Sequence, residues 1–200
     1  MAQTYTIQTV TGTPDWSGIP KACIATPLWG LPTDITAYAQ LACGTDRLFV
    51  HLHADENAQR AENFGLLDQP CEDSCLEFFF RPVADDSRYL NIEMNPNCCL
   101  YLGLGTGRED LTRLLLPGGA DALHADVKRC ESHWDLYYEL PFSVIRLFFP
   151  NFQPTGTMYG NFYHCGDLTI QEHYLAWSPV GCAEPDFHRP DFFAPLVFEK

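Results

Sequence analysis

Short apolar or alternating runs separated by turn residues recur along the whole chain, and they constrain its fold most strongly. Such runs are typical of β-strands. They cover Tyr5–Val10, Ile35–Cys43, Leu48–Ala54, Glu72–Phe80, Tyr89–Met94, Cys98–Leu102, Ala125–Cys130, Trp134–Leu140, Met158–Cys165, Tyr174–Ser178 and Pro195–Phe198. Only Pro141–Phe149 has the spacing of a helix, with proline at its start. The pattern predicts an all-β fold: a jelly-roll-like, two-sheet antiparallel β-sandwich of about ten strands with one short helix, forming a single domain over residues 1–200.

The charge balance excludes several classes of partner. The chain has 26 acidic and 12 basic residues, a net charge of −14. Nucleic acids and anionic membranes attract basic surfaces, so neither is an expected partner. The N-terminal residues lack the basic and apolar segments of a signal peptide, and no apolar run is long enough to span a membrane. The nine cysteines are interpreted as reduced thiols, and a cytoplasmic location is expected.

Two short motifs suggest ligands but have simpler explanations. His51, His53 and Asp55 alternate along a predicted strand and therefore share one face, an arrangement that metal sites use. Solvent-facing strand positions also carry histidine freely, so these residues are weak metal candidates. The segment Gly103–Gly107 resembles a phosphate-binding loop but has no βαβ context, and a hairpin connection is the preferred interpretation.

Two acidic residues lie within otherwise apolar strands. Glu77 follows Cys75-Leu76, and Glu93 lies between Ile92 and Met94. A carboxylate in such a strand must be paired, hydrogen-bonded or exposed on a concave face. The pair is therefore interpreted either as solvated side chains, as an acid–base pair for glycoside hydrolysis, or as ligands for sugar hydroxyls. No nucleophile motif accompanies it, so binding is the preferred hypothesis.

The C-terminal segment carries a loop rich in proline and aromatic residues, Pro185–Phe193. An aromatic ring with polar neighbours suits a sugar, whose C–H faces stack on the ring while its hydroxyls form hydrogen bonds. Phe187 is the predicted stacking platform in this loop, and Arg189 is a predicted polar partner. Phe193 is expected to anchor the loop to the core.

The same segments resemble carbohydrate-binding module family 9. The resemblance is to free-standing bacterial members within the wider DOMON-like group of β-sandwiches. It rests on Glu72–Phe80, the strand end at Asn95, Asn161–Asp167, Leu175–Pro179 and Pro185–Phe193, in that order.

The resemblance implies a sugar slot, with two tryptophans clamping a terminal sugar and polar side chains binding its hydroxyls. Glu77 and Asn95 keep the family's residue types. Phe187 replaces one clamp tryptophan and Cys71 the other, so a site with one wall is expected to bind more weakly by about 1 kcal/mol. The two remaining polar positions of the family fall at Glu93 and His164. The family also binds structural calcium, which makes calcium a possible ligand here.

We therefore expect a non-catalytic protein that binds a mono- or oligosaccharide. Two alternatives remain open. One is an enzyme acting on a sugar or glycoside with Glu77 and Glu93 as its acid–base pair, and the other is a protein–protein interaction module on a degenerate sugar-binding fold.

Overall fold

The computed structural model describes residues 3–31 and 33–199, which form fourteen strands and one α-helix. The strands are β1 (Tyr5–Thr9), β2 (Ala22–Ile24), β3 (Thr26–Pro27), β4 (Thr36–Cys43), β5 (Arg47–Asp55), β6 (Cys75–Arg81), β7 (Tyr89–Met94), β8 (Leu100–Gly105), β9 (Thr112–Leu114), β10 (Asp126–Arg129), β11 (His133–Pro141), β12 (Thr157–Gly166), β13 (His173–Ala176) and β14 (Ala194–Phe198). The helix α1 spans Phe142–Phe148.

The strands form one continuous, curled sheet of mixed direction. Its hydrogen-bonded order is β10-β11-β5-β4-β1-β14-β12-β6-β7-β8-β9, with β2 beside β4 and with β13 between β12 and β3. Strand β1 joins two halves of this sheet: β10, β11, β5 and β4 lie on one side of it, and β14, β12, β6, β7, β8 and β9 lie on the other. Its first residues pair in parallel with β14, and its last residues pair in parallel with β4. The predicted β-rich class and the short helix are confirmed.

The structure has more strands than the sequence indicates, and they are not all antiparallel. The predicted runs contain no strand between Val10 and Ile35, yet β2 and β3 lie there, and β9 was also missed. These strands have two or three residues, too few for an apolar alternation to be recognised.

The glycine-rich segment Gly103–Gly107 lies partly within a strand, since its first three residues form the end of β8. Gly103 is required there because a Cβ would collide with the side chain of Asn91 on β7.

The main core lies between the two halves of the sheet. Alternate residues of β4, β5 and β11 face alternate residues of β6, β7 and β12, and together they form one buried cluster. Phe78 lies at its centre, with its ring stacked on those of Phe80 (4.6 Å) and Phe162 (4.9 Å).

A smaller cluster covers the opposite face of β6 and β12. It contains Phe79, Tyr89, Tyr163 and Cys165 from strands, together with Phe187 and other residues from loops. Strands β6 and β12 therefore have buried residues on both faces, and their side chains divide between two environments.

Within the described residues, no helix is long and apolar enough to cross a membrane.

The Tyr5 hydroxyl secures the junction between the two halves. It donates to the carbonyl oxygen of Pro20 (2.8 Å) and accepts from the Leu41 backbone N–H (2.9 Å). Leu41 lies in β4 between the residues that pair with β2 and those that pair with β1. The hydroxyl thus replaces a strand–strand hydrogen bond at this gap.

We expect Tyr5→Phe to lower the free energy of unfolding by about 1–3 kcal/mol, because it leaves the buried Leu41 N–H without a partner. Urea denaturation measures the change. Tyr138→Phe is the matched control, since the buried Tyr138 hydroxyl has no partner among the described residues. An equal cost for the two variants would contradict the role of Tyr5.

Candidate functional site

A cavity of about 150 Å³ lies on the face of β6, β7 and β12 that is turned away from the main core. Buried Glu77 and Glu93 form its floor. Aromatic side chains from β13 and two loops form its wall, and charged residues surround its mouth. Its lining comprises Trp29, Cys71, Glu77, Glu93, Arg108, Cys165, Asp167, Tyr174, Pro185, Asp186, Phe187 and His188.

Phe187 is part of this wall, but it is not an exposed platform. Its ring is 7% exposed and stacks on Tyr163 with centroids 4.1 Å apart. Trp29 lies against Phe187 at 5.4 Å, with the planes tilted by 38°. A sugar between two aromatic faces needs two van der Waals layers of about 3.5–4 Å each. The two rings are therefore too close to clamp a sugar between them, and they form one angled wall.

Trp29 supplies the more accessible ring of this wall. It lies just after β3 with a left-handed backbone (φ 53°), and its Nε1 donates to the carbonyl oxygen of Cys182 (3.0 Å). Tyr174 packs edge-on against it at 5.3 Å. These contacts fix the indole between the C-terminal loop and β13.

The floor contains two carboxyl groups side by side. Glu77 and Glu93 occupy directly paired positions of β6 and β7. Oε1 of Glu77 accepts from the Cys165 thiol (3.0 Å), whereas its buried Oε2 has no partner among the described residues. Oε1 of Glu93 accepts from the Asn91 side-chain amide (2.7 Å). The floor thus keeps hydrogen-bonding capacity that the protein itself does not use.

Burial favours the neutral form of both carboxyl groups. Burial and the neighbouring Glu93 raise the pKa of Glu77 well above its usual range. Burial raises the pKa of Glu93 to about 7, and the hydrogen bond from Asn91 and the charges of Arg113 and Arg108 oppose the rise. At neutral pH the pair therefore presents a protonated carboxyl that donates and oxygen atoms that accept.

The mouth of the cavity has more acidic than basic groups. Arg108 is the cation in the lining, and its Nε donates to Oδ1 of Asp186 (2.9 Å). Asp167 adds a further carboxyl, whose pKa is raised mainly by burial. Burial and Arg108 lower the pKa of His188 to about 4, so this imidazole is neutral at pH 7. The mouth therefore has little positive charge available for an anion.

The structure brings four of the predicted site residues together and places three elsewhere. Cys71, Glu77, Glu93 and Phe187 line the cavity, whereas Asn95, His164 and Arg189 do not. Asn95 stabilises a turn, since its amide donates to Asp73 (2.7 Å) and its oxygen accepts two backbone N–H groups. His164 is fully buried on the core face of β12, and the Arg189 guanidinium lies over Phe192.

Several residues of the cavity were not anticipated from the sequence. Trp29 lies in a segment interrupted by Pro27 and Gly30 that reads as irregular, and Arg108 follows the glycine-rich end of β8. Asp167 and Tyr174 flank the turn between β12 and β13. Of these four residues, only Asp167 belongs to a motif that carried the family resemblance, Asn161–Asp167.

The weak metal candidates occupy the outer face of the other half of the sheet. His51 Nε2 and His53 Nδ1 lie 2.7 Å and 2.9 Å from Oδ1 of Asp135 on β11. Asp55 was expected to complete this group, but it lies at its edge, 3.3 Å from His53 Nε2. Among the described residues, each group of three or more potential metal-binding side chains contains histidine or cysteine. Such nitrogen and sulfur ligands suit calcium poorly, because calcium is bound by oxygen atoms.

Comparison with known proteins decides the family. The sequence model of the protein family described as "Carbohydrate-binding family 9" matches residues 34–198 of this chain. The chain belongs to carbohydrate-binding family 9. This confirms the resemblance indicated by the sequence motifs and the general function it implied, carbohydrate binding. No curated protein matches the chain.

Solved structures share the fold of this family 9 chain. A proposed carbohydrate-binding protein from Bacteroides uniformis ATCC 8492 is 27% identical with a TM-score of 0.81, and the alignment covers 100% of both chains. A family 9 module from Caldicellulosiruptor kristjanssonii in complex with cellotriose is 13% identical with a TM-score of 0.66, covering 98% of this chain and 94% of that one. The same kind of module with glucose is 14% identical with a TM-score of 0.65, covering 97% and 95%.

The buried carboxyl groups make stability depend on pH in a testable way. In the unfolded chain Glu93 has an ordinary pKa near 4.5, against about 7 in the fold. Its contribution to stability is therefore complete below the unfolded pKa and is lost as the pH rises through the folded pKa. Between about pH 5 and pH 8 we expect the free energy of unfolding of the wild type to fall by about 1–3 kcal/mol relative to Glu93→Gln.

Urea denaturation of both proteins at the two pH values measures this difference. Titration of groups distant from Glu93 affects both proteins and cancels, whereas Glu77, whose pKa Glu93 raises, adds to the difference in the same direction. Parallel pH dependences for wild type and variant would show that Glu93 does not titrate in this window.

Proposed function

We propose that this protein binds a neutral monosaccharide, or the terminal residue of a neutral oligosaccharide, in the cavity beside Trp29. The observation that carries the proposal is the combination of a tilted aromatic wall with a buried, unpartnered carboxyl oxygen on Glu77. One pyranose face would stack on Trp29, while its hydroxyls would bond to Glu77 and Glu93. The glucose and cellotriose complexes of the Caldicellulosiruptor modules support a saccharide as the ligand class.

The size of the cavity favours one sugar ring. Its volume of about 150 Å³ is below the range of about 300–1,000 Å³ that is usual for larger ligands. A longer saccharide would therefore extend from the cavity into solvent. The replacement of a clamp tryptophan by Cys71 agrees with this geometry, because the wall is built on one side by Trp29, Phe187 and Tyr174.

The position of the two carboxyl groups favours binding over hydrolysis. Glycosidases place their carboxyl groups on opposite sides of the scissile bond. Glu77 and Glu93 are direct cross-strand neighbours on one sheet face, whose Cβ atoms lie about 4.5–5.5 Å apart in any antiparallel pair. Both side chains therefore approach a ligand from the same side.

We further infer that the two halves of the curled sheet serve as the two layers of a sandwich of the DOMON-like kind. The shared core between β4-β5-β11 and β6-β7-β12 supports this reading. In this arrangement the cavity lies on an outer face, where loops can vary without disturbing the core.

The first test removes the aromatic wall. We expect Trp29→Ala to weaken glucose or cellotriose binding by about 5- to 30-fold, which corresponds to about 1–2 kcal/mol for a lost stacking contact. Isothermal titration calorimetry measures the affinity. Trp16→Ala is the matched control, since Trp16 packs on His51 and Tyr137 of the other half of the sheet. Retained affinity in Trp29→Ala with loss in Trp16→Ala would move the site to that other face.

The second test concerns charge. We expect glucuronate to bind at least about 10-fold more weakly than glucose at pH 7, because the cavity offers acidic groups and a guanidinium already paired with Asp186. Competition calorimetry compares the two sugars. Equal or tighter binding of glucuronate would show that Arg108 leaves Asp186 to bind the ligand.

A further inference from the structure

A second polar cluster is buried in the core, on the other face of the strand that contributes to the cavity. It consists of Glu56, at the end of β5, with His164 on β12 and His173 on β13. All three side chains are at most 2% exposed. Neighbouring β12 residues Tyr163 and Cys165 face the sugar cavity side, whereas His164 faces the main core and Trp134. The cluster is therefore separate from the proposed sugar site.

Hydrogen bonds fix which nitrogen of each imidazole is available. His164 Nδ1 donates to the carbonyl oxygen of Cys75 (2.7 Å), and His173 Nδ1 donates to the carbonyl oxygen of Gln171 (2.8 Å). A carbonyl oxygen only accepts, so each Nδ1 carries its hydrogen. In a neutral imidazole each Nε2 then has a free lone pair. This arrangement, with the far nitrogen donating to a carbonyl, is the usual support of a metal-bound histidine.

The two Nε2 atoms lie close to each other and to a carboxylate oxygen, all within 4.8 Å of one another. The two Nε2 atoms lie 3.3 Å apart, and Oε2 of Glu56 lies 3.3 Å from His164 Nε2. Three acceptors at these distances repel each other unless a cation or an extra proton lies between them. With bonds of about 2.0–2.1 Å, a tetrahedral zinc ion holds its ligand atoms about 3.3–3.4 Å apart. The His164–His173 and His164–Glu56 separations match that value, and the Glu56 and His173 ligand atoms lie within 4.8 Å of each other.

The carboxylate is also held in place. Oε1 of Glu56 accepts from the Ser74 hydroxyl (2.6 Å), and Oε2 accepts from the Trp134 indole N–H (3.2 Å). A carboxylate oxygen has a second lone pair, so the indole bond leaves Oε2 able to bind an ion. Three rigid ligands therefore converge without any rearrangement of the fold.

A cavity of about 170 Å³ lies beside the cluster and reaches Glu56, whereas neither histidine lines it. It is lined by Glu56 and by Gln171, whose carbonyl oxygen orients His173, and its acidic neighbours Asp34 and Asp55 attract cations.

We propose that Glu56, His164 and His173 form a binding site for a divalent transition-metal ion of the zinc type. Two imidazole nitrogens and one carboxylate oxygen suit zinc and similar ions better than calcium, which takes six to eight oxygen ligands. The site connects the loop after β5 to β12 and β13. Its ion therefore stabilises the half of the sheet that carries the sugar cavity.

The test measures zinc binding with one variant for each cluster of potential ligands. The chain is first stripped of metal with a chelator and then titrated with zinc by calorimetry, with metal content determined by mass spectrometry. We expect one zinc ion per wild-type chain and a rise in melting temperature. We expect His173→Gln to lower the affinity by about 100-fold or more.

Matched controls address the other two clusters. His53→Gln alters the group of His51, His53 and Asp135, and Cys165→Ser alters the group of Cys75, Glu77 and Cys165. Both control variants should retain the zinc ion. Loss of zinc in either control, with retention in His173→Gln, would overturn the proposal.

Cobalt titration of the wild type gives a readout that does not depend on any variant folding. Tetrahedral nitrogen and oxygen ligands give visible d–d bands without a thiolate charge-transfer band in the near ultraviolet. A thiolate band would place the ion at Cys75 and Cys165 and overturn the proposal. Absence of zinc and cobalt binding would also overturn it.

Discussion

The pairing of β6 with β12 is the constraint on which the rest of the structure depends. Both strands are buried on both faces, so every side chain along them is assigned to one of two environments. Glu77 and Tyr163 are paired residues and face the cavity, whereas the next pair, Leu76 and His164, faces the core. A shift of one residue would exchange the two sets, because the side-chain period of a strand is two. The register therefore keeps the acidic cavity apart from the histidine cluster.

Burial has opposite chemical consequences on the two faces. On the cavity face it raises the pKa of both Glu77 and Glu93, which form no ion pair with a cation among the described residues. A neutral carboxyl can donate and accept, which matches a sugar hydroxyl. On the core face, Glu56 lies beside two imidazoles and accepts hydrogen bonds from the Ser74 hydroxyl and the Trp134 indole N–H. In the two proposed sites, the same side-chain type thus binds a neutral ligand in one place and a cation in the other.

The aromatic residues show a similar division between structure and binding. Phe187 is stacked on Tyr163 and supports the cavity from behind, so most of its surface stabilises the C-terminal loop. Trp29 rests on Phe187 and Tyr174 and has the more accessible ring. The aromatic surface offered to a sugar therefore depends on a loop far from Phe187 in the sequence. Affinity is expected to depend on how well that loop keeps its position.

The sequence by itself determined the β-rich class, the short helix, the family and the two acidic strands. These follow from local alternation, from proline at a helix start and from motif order, all of which lie within short segments. It did not reveal β2, β3 and β9, because strands of two or three residues carry no readable period. The tertiary structure alone decided that β1 joins two halves in parallel, that Trp29 meets Phe187, and that His164 faces His173 and Glu56 instead of a sugar. Each of these depends on which strands and loops become neighbours, and that is set by packing over the whole chain.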